Sequence, residues 1–129
     1  VSNVDTYLAQ ARADLTRLTP AEAHALPDAL IVDIRPLHNR LAEGEIENSV
    51  VVERIVLEWR LDPTGDWRLP GFTADTPVVV VCNEGYSSSL AARDLQRIGL
   101  PNATDLIGGY RAWRAAGLPV REGGTQAVV

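Results

Sequence analysis

The stretch Pro77-Val78-Val79-Val80-Val81-Cys82-Asn83-Glu84-Gly85-Tyr86-Ser87-Ser88-Ser89-Leu90-Ala91-Ala92-Arg93 decides the fold. Four consecutive valines are β-branched and apolar at every position, which suits a strand buried on both faces, as in a parallel sheet between helices. The strand ends at Cys82, the only cysteine of the chain. Small, polar and turn-forming residues follow, and then Ala91, Leu95 and Ile98 recur at helical spacing before Gly99 stops the pattern. The result is strand, short loop, helix. In open α/β sheets ligands gather at the carboxyl ends of strands, where the next helix points its unpaired N–H groups. Cys82 is therefore expected inside a ring of donors, where the helix dipole favours a thiolate. An inert core thiol is the other reading, but such a thiol has no use for a polar, glycine-bearing loop.

The run Cys-x-x-Gly-x-x-Ser-x-x-Ala-Ala, here Cys82, Gly85, Ser88, Ala91 and Ala92, resembles the active-site loop of the rhodanese sulfurtransferases. Three further segments are similar to that family in the same order: Leu30-Ile31-Val32-Asp33-Ile34-Arg35, Ala42-Glu43-Gly44-Glu45-Ile46, and Asp105-Leu106-Ile107-Gly108-Gly109-Tyr110-Arg111-Ala112-Trp113 with Gly117-Leu118-Pro119-Val120. The resemblance implies a three-layer α/β/α fold with a mainly parallel sheet of about five strands, plus an extra N-terminal helix. It implies a sulfane sulfur moved from thiosulfate, a persulfide or a polysulfide to cyanide or a thiol through a persulfide on Cys82, with no other cofactor. Two departures stand out. Ser87 occupies a position where many members carry arginine, and Glu45 replaces the usual histidine, a change read here as structural.

One domain is what 129 residues support, and 46% hydrophobic with 22% charged residues is ordinary for a globular chain. A formal net charge of −5 argues against nucleic acid or an anionic membrane as partner. No apolar run approaches the roughly 20 residues of a membrane span, and the cytoplasm is the expected compartment. One cysteine forms no internal disulfide. All twelve basic residues are arginine, so lysine Schiff-base chemistry and the phosphate-binding loop of nucleotide hydrolases are excluded. There is no metal-ligand cluster.

Along the chain, Val4, Tyr7, Leu8, Ala11, Leu15 and Leu18 predict an amphipathic helix from about Asn3 to Arg17, and residues 1–18 read as an extension packed outside the domain. Thr19-Pro20-Ala21-Glu22 has the pattern of a capped helix start. The domain proper is expected over 19–121. Ala29 to Ile34 is the first buried strand, and it brings Asp33 and Arg35 to the carboxyl edge shared with Cys82. An ion pair between them competes with a role for Arg35 at the loop or the substrate. His38 and His24 read as surface residues. Arg54 to Leu61 predicts one helix, from which Arg54, Trp59 and Arg60 are candidates for a pocket wall, with core packing the stronger expectation for Trp59. Residues 122–129 read as a flexible tail.

The chemistry rests on Cys82 as nucleophile. The loop Asn83, Glu84, Gly85, Tyr86, Ser87 and Ser88 would hold the persulfide anion with backbone N–H groups and hydroxyls. Glu84 is expected to oppose a dianionic donor such as thiosulfate. A cysteine phosphatase or arsenate reductase on the same architecture needs an arginine clamp in its loop, and none occurs before Arg93. A non-catalytic module, or a sulfur carrier working with a protein donor or acceptor, would keep the same residues.

Overall fold

The computed structural model describes residues 1–129. Its centre is β4 (Val78–Val81), flanked by β1 (Leu30–Asp33) on one side and β5 (Thr104–Asp105) on the other, with β3 (Val50–Val51) outside β1. All pairings in this sheet are parallel, so the order is β3-β1-β4-β5. Val78 and Val80 pack into one hydrophobic cluster with Leu57, Leu61, Ala91, Ala92 and Leu95, while Val79 and Val81 pack into another with Ile46, Leu106, Tyr110 and Trp113. The strand's two-residue period explains the run of valines, since each face meets its own layer. Each fully buried valine contributes roughly 1.5 kcal/mol.

One layer holds α4 (Leu57–Leu61) and α5 (Ser87–Arg97), and α1 (Asn3–Arg12) packs against α5. The other holds α2 (Pro20–Ala25) and α6 (Gly109–Ala115). The helix α3 (Leu37–Glu43) leads into β2 (Glu45–Ile46), which pairs antiparallel with β6 (Val120–Arg121). The parallel sheet has four strands, against the expected five or so. The next position beyond β5 is filled by a single bridge between Leu18 and Leu106.

That bridge also explains where α1 stops. The apolar stripe continues through Leu15 and Leu18, but the Leu18 N–H donates to the Asp105 carbonyl at 3.1 Å and the Leu18 carbonyl accepts from Ile107 at 2.8 Å. Edge pairing to β5 needs extended backbone, so the helix ends at Arg12 and not at Arg17. At Thr19 the sequence signal is realised in full: Thr19 Oγ1 accepts from the Glu22 N–H, and Glu22 Oε1 accepts from the Thr19 N–H.

Two further expectations are corrected. Arg54 to Leu61 is not one helix but a 3₁₀ turn, Arg54–Val56, followed by α4. The buried pair Leu57 and Leu61 sits at i, i+4, which turns Trp59 to the opposite side, where it is 62% exposed and not packed in the core. Residues 122–129, read as a tail, lie along the domain: Val128 bridges to Val52 beyond the β3 edge, and Thr125 bonds the buried Glu45. Glu45 supplies the reason. Its carboxylate is fully buried and accepts from Arg40, Arg121, Thr125 Oγ1 and the N–H groups of Gly124 and Thr125, so the C-terminal segment completes its shell. No helix is long and apolar enough to cross a membrane.

Candidate active site

Cys82 leaves β4 at its carboxyl edge, and the chain turns at Gly85 before α5 begins at Ser87. Gly85 has φ of +88°, and a Cβ there would stand 2.9 Å from the Gly108 nitrogen, so only glycine lets the loop close against the next turn. The closure aims the Gly85 N–H at the Cys82 sulfur, 3.1 Å away. The Cys82 thiol in turn donates to Ser88 Oγ at 3.2 Å. Cys82 is 7% exposed. Burial pushes the thiol up, but hydrogen bonds from Ser88, Ser87 and Gly85 outweigh it and leave the thiol below its ordinary value. The amides of Tyr86, Ser87 and Ser88, at the mouth of α5, have no backbone acceptor.

The loop is held from outside by α6. The Tyr110 N–H donates to the Cys82 carbonyl at 2.9 Å and the Arg111 N–H to the Asn83 carbonyl at 3.2 Å. Gly109, with φ of +64°, makes this approach feasible, because a Cβ there would lie 2.5 Å from the Cys82 carbonyl oxygen.

Asp33 and Arg35 reach the same edge and are both buried, bonded to each other at 2.7 Å. Arg35 also donates to the Gly44 carbonyl at 2.8 Å and to Asn83 Oδ1 at 3.4 Å, and it lies over the Tyr110 ring at 3.9 Å. It therefore ties β1 to the loop as well as pairing with Asp33. Asn83 is held on its other side by Glu43, to which it donates at 3.0 Å. Glu84 is exposed and bonded to Arg111, and Tyr86 is exposed beside Arg12. Arg54 pairs with Glu58 and Asp94. Asp94 stands seven residues into α5, about 10 Å along the helix from Ser87, so Arg54 does not join the loop. Trp59, exposed beside Glu58 and Ile98 in a shallow surface depression, does not join it either.

Several residues at the site had no local signal. Arg12 and Arg17 both donate to the Gly85 carbonyl, at 2.7 and 3.0 Å. Arg17 also pairs with Asp105, which is fully buried and accepts from Ser88 and Ser89 at 2.7 Å each. Arg17 and Asp105 are 88 residues apart, beyond any periodicity argument. The one hint was an aspartate inside an apolar strand, which demands a buried partner.

The model of the rhodanese-like domain matches residues 19–116. The chain belongs to the rhodanese family. Among its relatives is the thiosulfate sulfurtransferase GlpE of Stutzerimonas stutzeri, 35% identical over 107 residues that cover 78% of this chain and 86% of the relative. A Rhodopseudomonas palustris structure, described as a protein of unknown function and possible tyrosine phosphatase, superposes with a TM-score of 0.83 at 34% identity, covering 94% of this chain and 96% of that one. The polysulfide-sulfur transferase homodimer of Wolinella succinogenes does so with a TM-score of 0.69 at 28% identity, covering 95% and 91%. This rhodanese is thus a sulfurtransferase by class, and its one cysteine lies within the matched residues.

Proposed function

We propose that this rhodanese transfers sulfane sulfur through a persulfide on Cys82. The observation that carries the proposal is the surroundings of the sulfur: a thiol bonded to Gly85 and Ser88 and held below its ordinary value, beside three amides with no backbone acceptor. In the first step the Cys82 thiolate attacks the outer sulfur of the donor. A bond forms between the two sulfurs, and the donor's own bond to that sulfur breaks with its electron pair leaving on the departing group. The departing group is sulfite from thiosulfate, or a thiolate from a persulfide. The outer sulfur then carries the negative charge, and the N–H groups of Tyr86, Ser87 and Ser88 and the Ser87 hydroxyl are the donors at hand to stabilise it. In the second step a thiolate or cyanide takes the outer sulfur and Cys82 leaves as thiolate.

Both thiosulfate and polysulfide are named for relatives of this chain. Either fits an anion cradle built from backbone and hydroxyl groups. A sulfur carrier that exchanges with a protein partner would use the same atoms, and turnover with small acceptors, as against a single stoichiometric loading, separates the two.

The description of the Rhodopseudomonas palustris relative favours a second reading, a cysteine phosphatase. That chemistry needs a guanidinium clamping the phosphoryl oxygens. Arg93 is the first arginine after Cys82, and it is buried on α5, donating to the Tyr7 hydroxyl at 2.8 Å.

Intact mass spectrometry after incubation with thiosulfate, and separately with cysteine persulfide, tests the proposal. Gain of one sulfur atom that cyanide or a thiol removes, and that Cys82→Ser abolishes, is expected. Turnover of an aryl phosphate without sulfur loading would establish the phosphatase instead.

A further inference from the structure

The hydroxyl of Ser88 has one proton and two acceptors. Its oxygen lies 2.7 Å from Asp105 Oδ2 and 3.2 Å from the Cys82 sulfur. While Cys82 is a thiol there is no conflict: the S–H donates to Ser88, and Ser88 donates to Asp105. Once the sulfur is an anion it has no proton to offer, and the strongest donor beside it is the Ser88 hydroxyl, turned away from Asp105.

Asp105 is equipped to release that proton. Its carboxylate also accepts from Arg17 Nε at 2.8 Å, Arg17 Nη2 at 3.2 Å and Ser89 Oγ at 2.7 Å. Ser89 is oriented by Arg12, whose Nε donates to its hydroxyl oxygen at 3.0 Å, so the Ser89 proton is directed to Asp105. Loss of Ser88 still leaves the buried carboxylate three donors. The same two arginines hold the Gly85 carbonyl. In a trans peptide this points the Tyr86 N–H away from them.

We propose that Arg17 and Asp105, assisted by Arg12 and Ser89, are positioning residues that set the nucleophilicity of Cys82 by controlling whether Ser88 gives its proton to the carboxylate or to the sulfur. Arg12 and Arg17 precede residue 19, where the match to the rhodanese-like domain begins, so the N-terminal extension is part of the active-site machinery. The other charged groups around the loop are already paired: Arg35 with Asp33, Glu43 and Glu84 with Arg111, and Arg93 and Arg54 with Asp94 further along α5. None of them touches Ser88.

This inference rests on Cys82 being the nucleophile of the proposed transfer. Its test reads the thiolate directly, by iodoacetamide alkylation against pH, and so does not depend on sulfur loading. Removing Arg17 leaves Asp105 short of donors and tightens its hold on Ser88. Arg17→Gln is expected to raise the apparent pH midpoint of alkylation and slow the reaction at neutral pH by about three- to tenfold. Asp105→Asn frees Ser88 and is expected to lower the midpoint by a comparable shift. The double variant should return to within about twofold of the parent, and Arg17→Lys should lie between parent and Arg17→Gln. Ser89→Ala, a smaller change, should follow Arg17→Gln in sign. In a Ser88→Ala background the effects of Arg17→Gln and Asp105→Asn should fall to less than about twofold.

Shifts of the same sign for the two single variants, or shifts that persist without Ser88, overturn the proposal. If Asp105→Asn does not fold, Ser89→Ala and Arg17→Gln with and without Ser88 still decide it. Opposed shifts in a protein that never accepts sulfur would leave this inference standing and remove the proposed function alone.

Discussion

Arg111 Nη1 stands 3.0 Å from Glu84 Oε1, at the rim of the loop that carries Cys82. Read from the sequence, Glu84 opposes a dianionic donor. The structure moderates this, because the carboxylate is 54% exposed and shares a guanidinium with Glu43, whose carboxyl Arg111 and Asn83 hold below the usual range. Exposed pairs of this kind are weak, because water and salt screen them. Arg111→Ala is expected to lower kcat/KM for thiosulfate by about two- to fivefold, and Glu84→Gln to raise it by a similar factor. Both effects should shrink in steady-state assays at high salt. Equal changes with a donor of lower charge would show that the rim does not act through electrostatics.

Glu45 gives the chain an acid-sensitive joint. Burial pushes its carboxyl up, but bonds from Thr125, Arg40 and Arg121 prevail and hold it at about 2, against an ordinary 4.5. A carboxyl depressed in the folded state contributes its stability fully above about pH 4.5 and loses it as pH falls through about 2, an amount of about 3 kcal/mol. Thermal unfolding between pH 5 and pH 2 should show a falling Tm, and Glu45→Gln should flatten that dependence while lowering Tm at neutral pH. A variant with the parent's acid profile would remove Glu45 as its source.

Gly109 joins α6 to the loop through backbone alone. Gly109→Ala adds a Cβ only 2.5 Å from the Cys82 carbonyl oxygen and forces alanine into left-handed backbone. The expected cost is about 2 kcal/mol or more, together with slower alkylation of Cys82. Urea unfolding with the parent's midpoint and unchanged alkylation would refute this account of the turn.

Arg35 holds Asp33, the Gly44 carbonyl and Asn83 with one planar fork. Arg35→Met leaves a fully buried carboxylate unpaired and is expected to destabilise the fold by about 3–5 kcal/mol. Arg35→Lys keeps the charge but loses the fork, and should cost less while still lowering sulfur-transfer activity. Denaturant melts and steady-state rates on both variants check this, and a lysine variant with full activity would show that the link to Asn83 has no part in the reaction.

The tryptophans divide by the same packing logic that corrected Trp59. Trp59 and Trp67 are 62% and 69% exposed, whereas Trp113, on the buried face of α6, is 2% exposed. Acrylamide should therefore quench two of the three readily. Trp59→Phe should leave sulfur transfer within about twofold, because nothing in the structure brings that ring to the loop. A large loss of activity would return it to the pocket wall.

The local chemistry of this protein was written in the chain itself. Four valines require two apolar layers, Thr19 with Glu22 specifies a helix start, and a cysteine before a glycine-bearing loop and a helix places its thiol at the start of that helix. In each case the signal is carried by a few neighbouring residues, whatever distant surfaces they later meet. Elements whose length depends on distant partners carry no such local signal: α1 unwinds at Arg12 because Leu18 is claimed by the β5 edge, and residues 122–129 are held because Glu45 is buried and needs their donors. The lining of the site was the least legible. Arg12, Arg17 and Asp105 meet only after β5 is laid beside β4, and a buried charge selects its partner by position in space, for which spacing along the chain carries no signal.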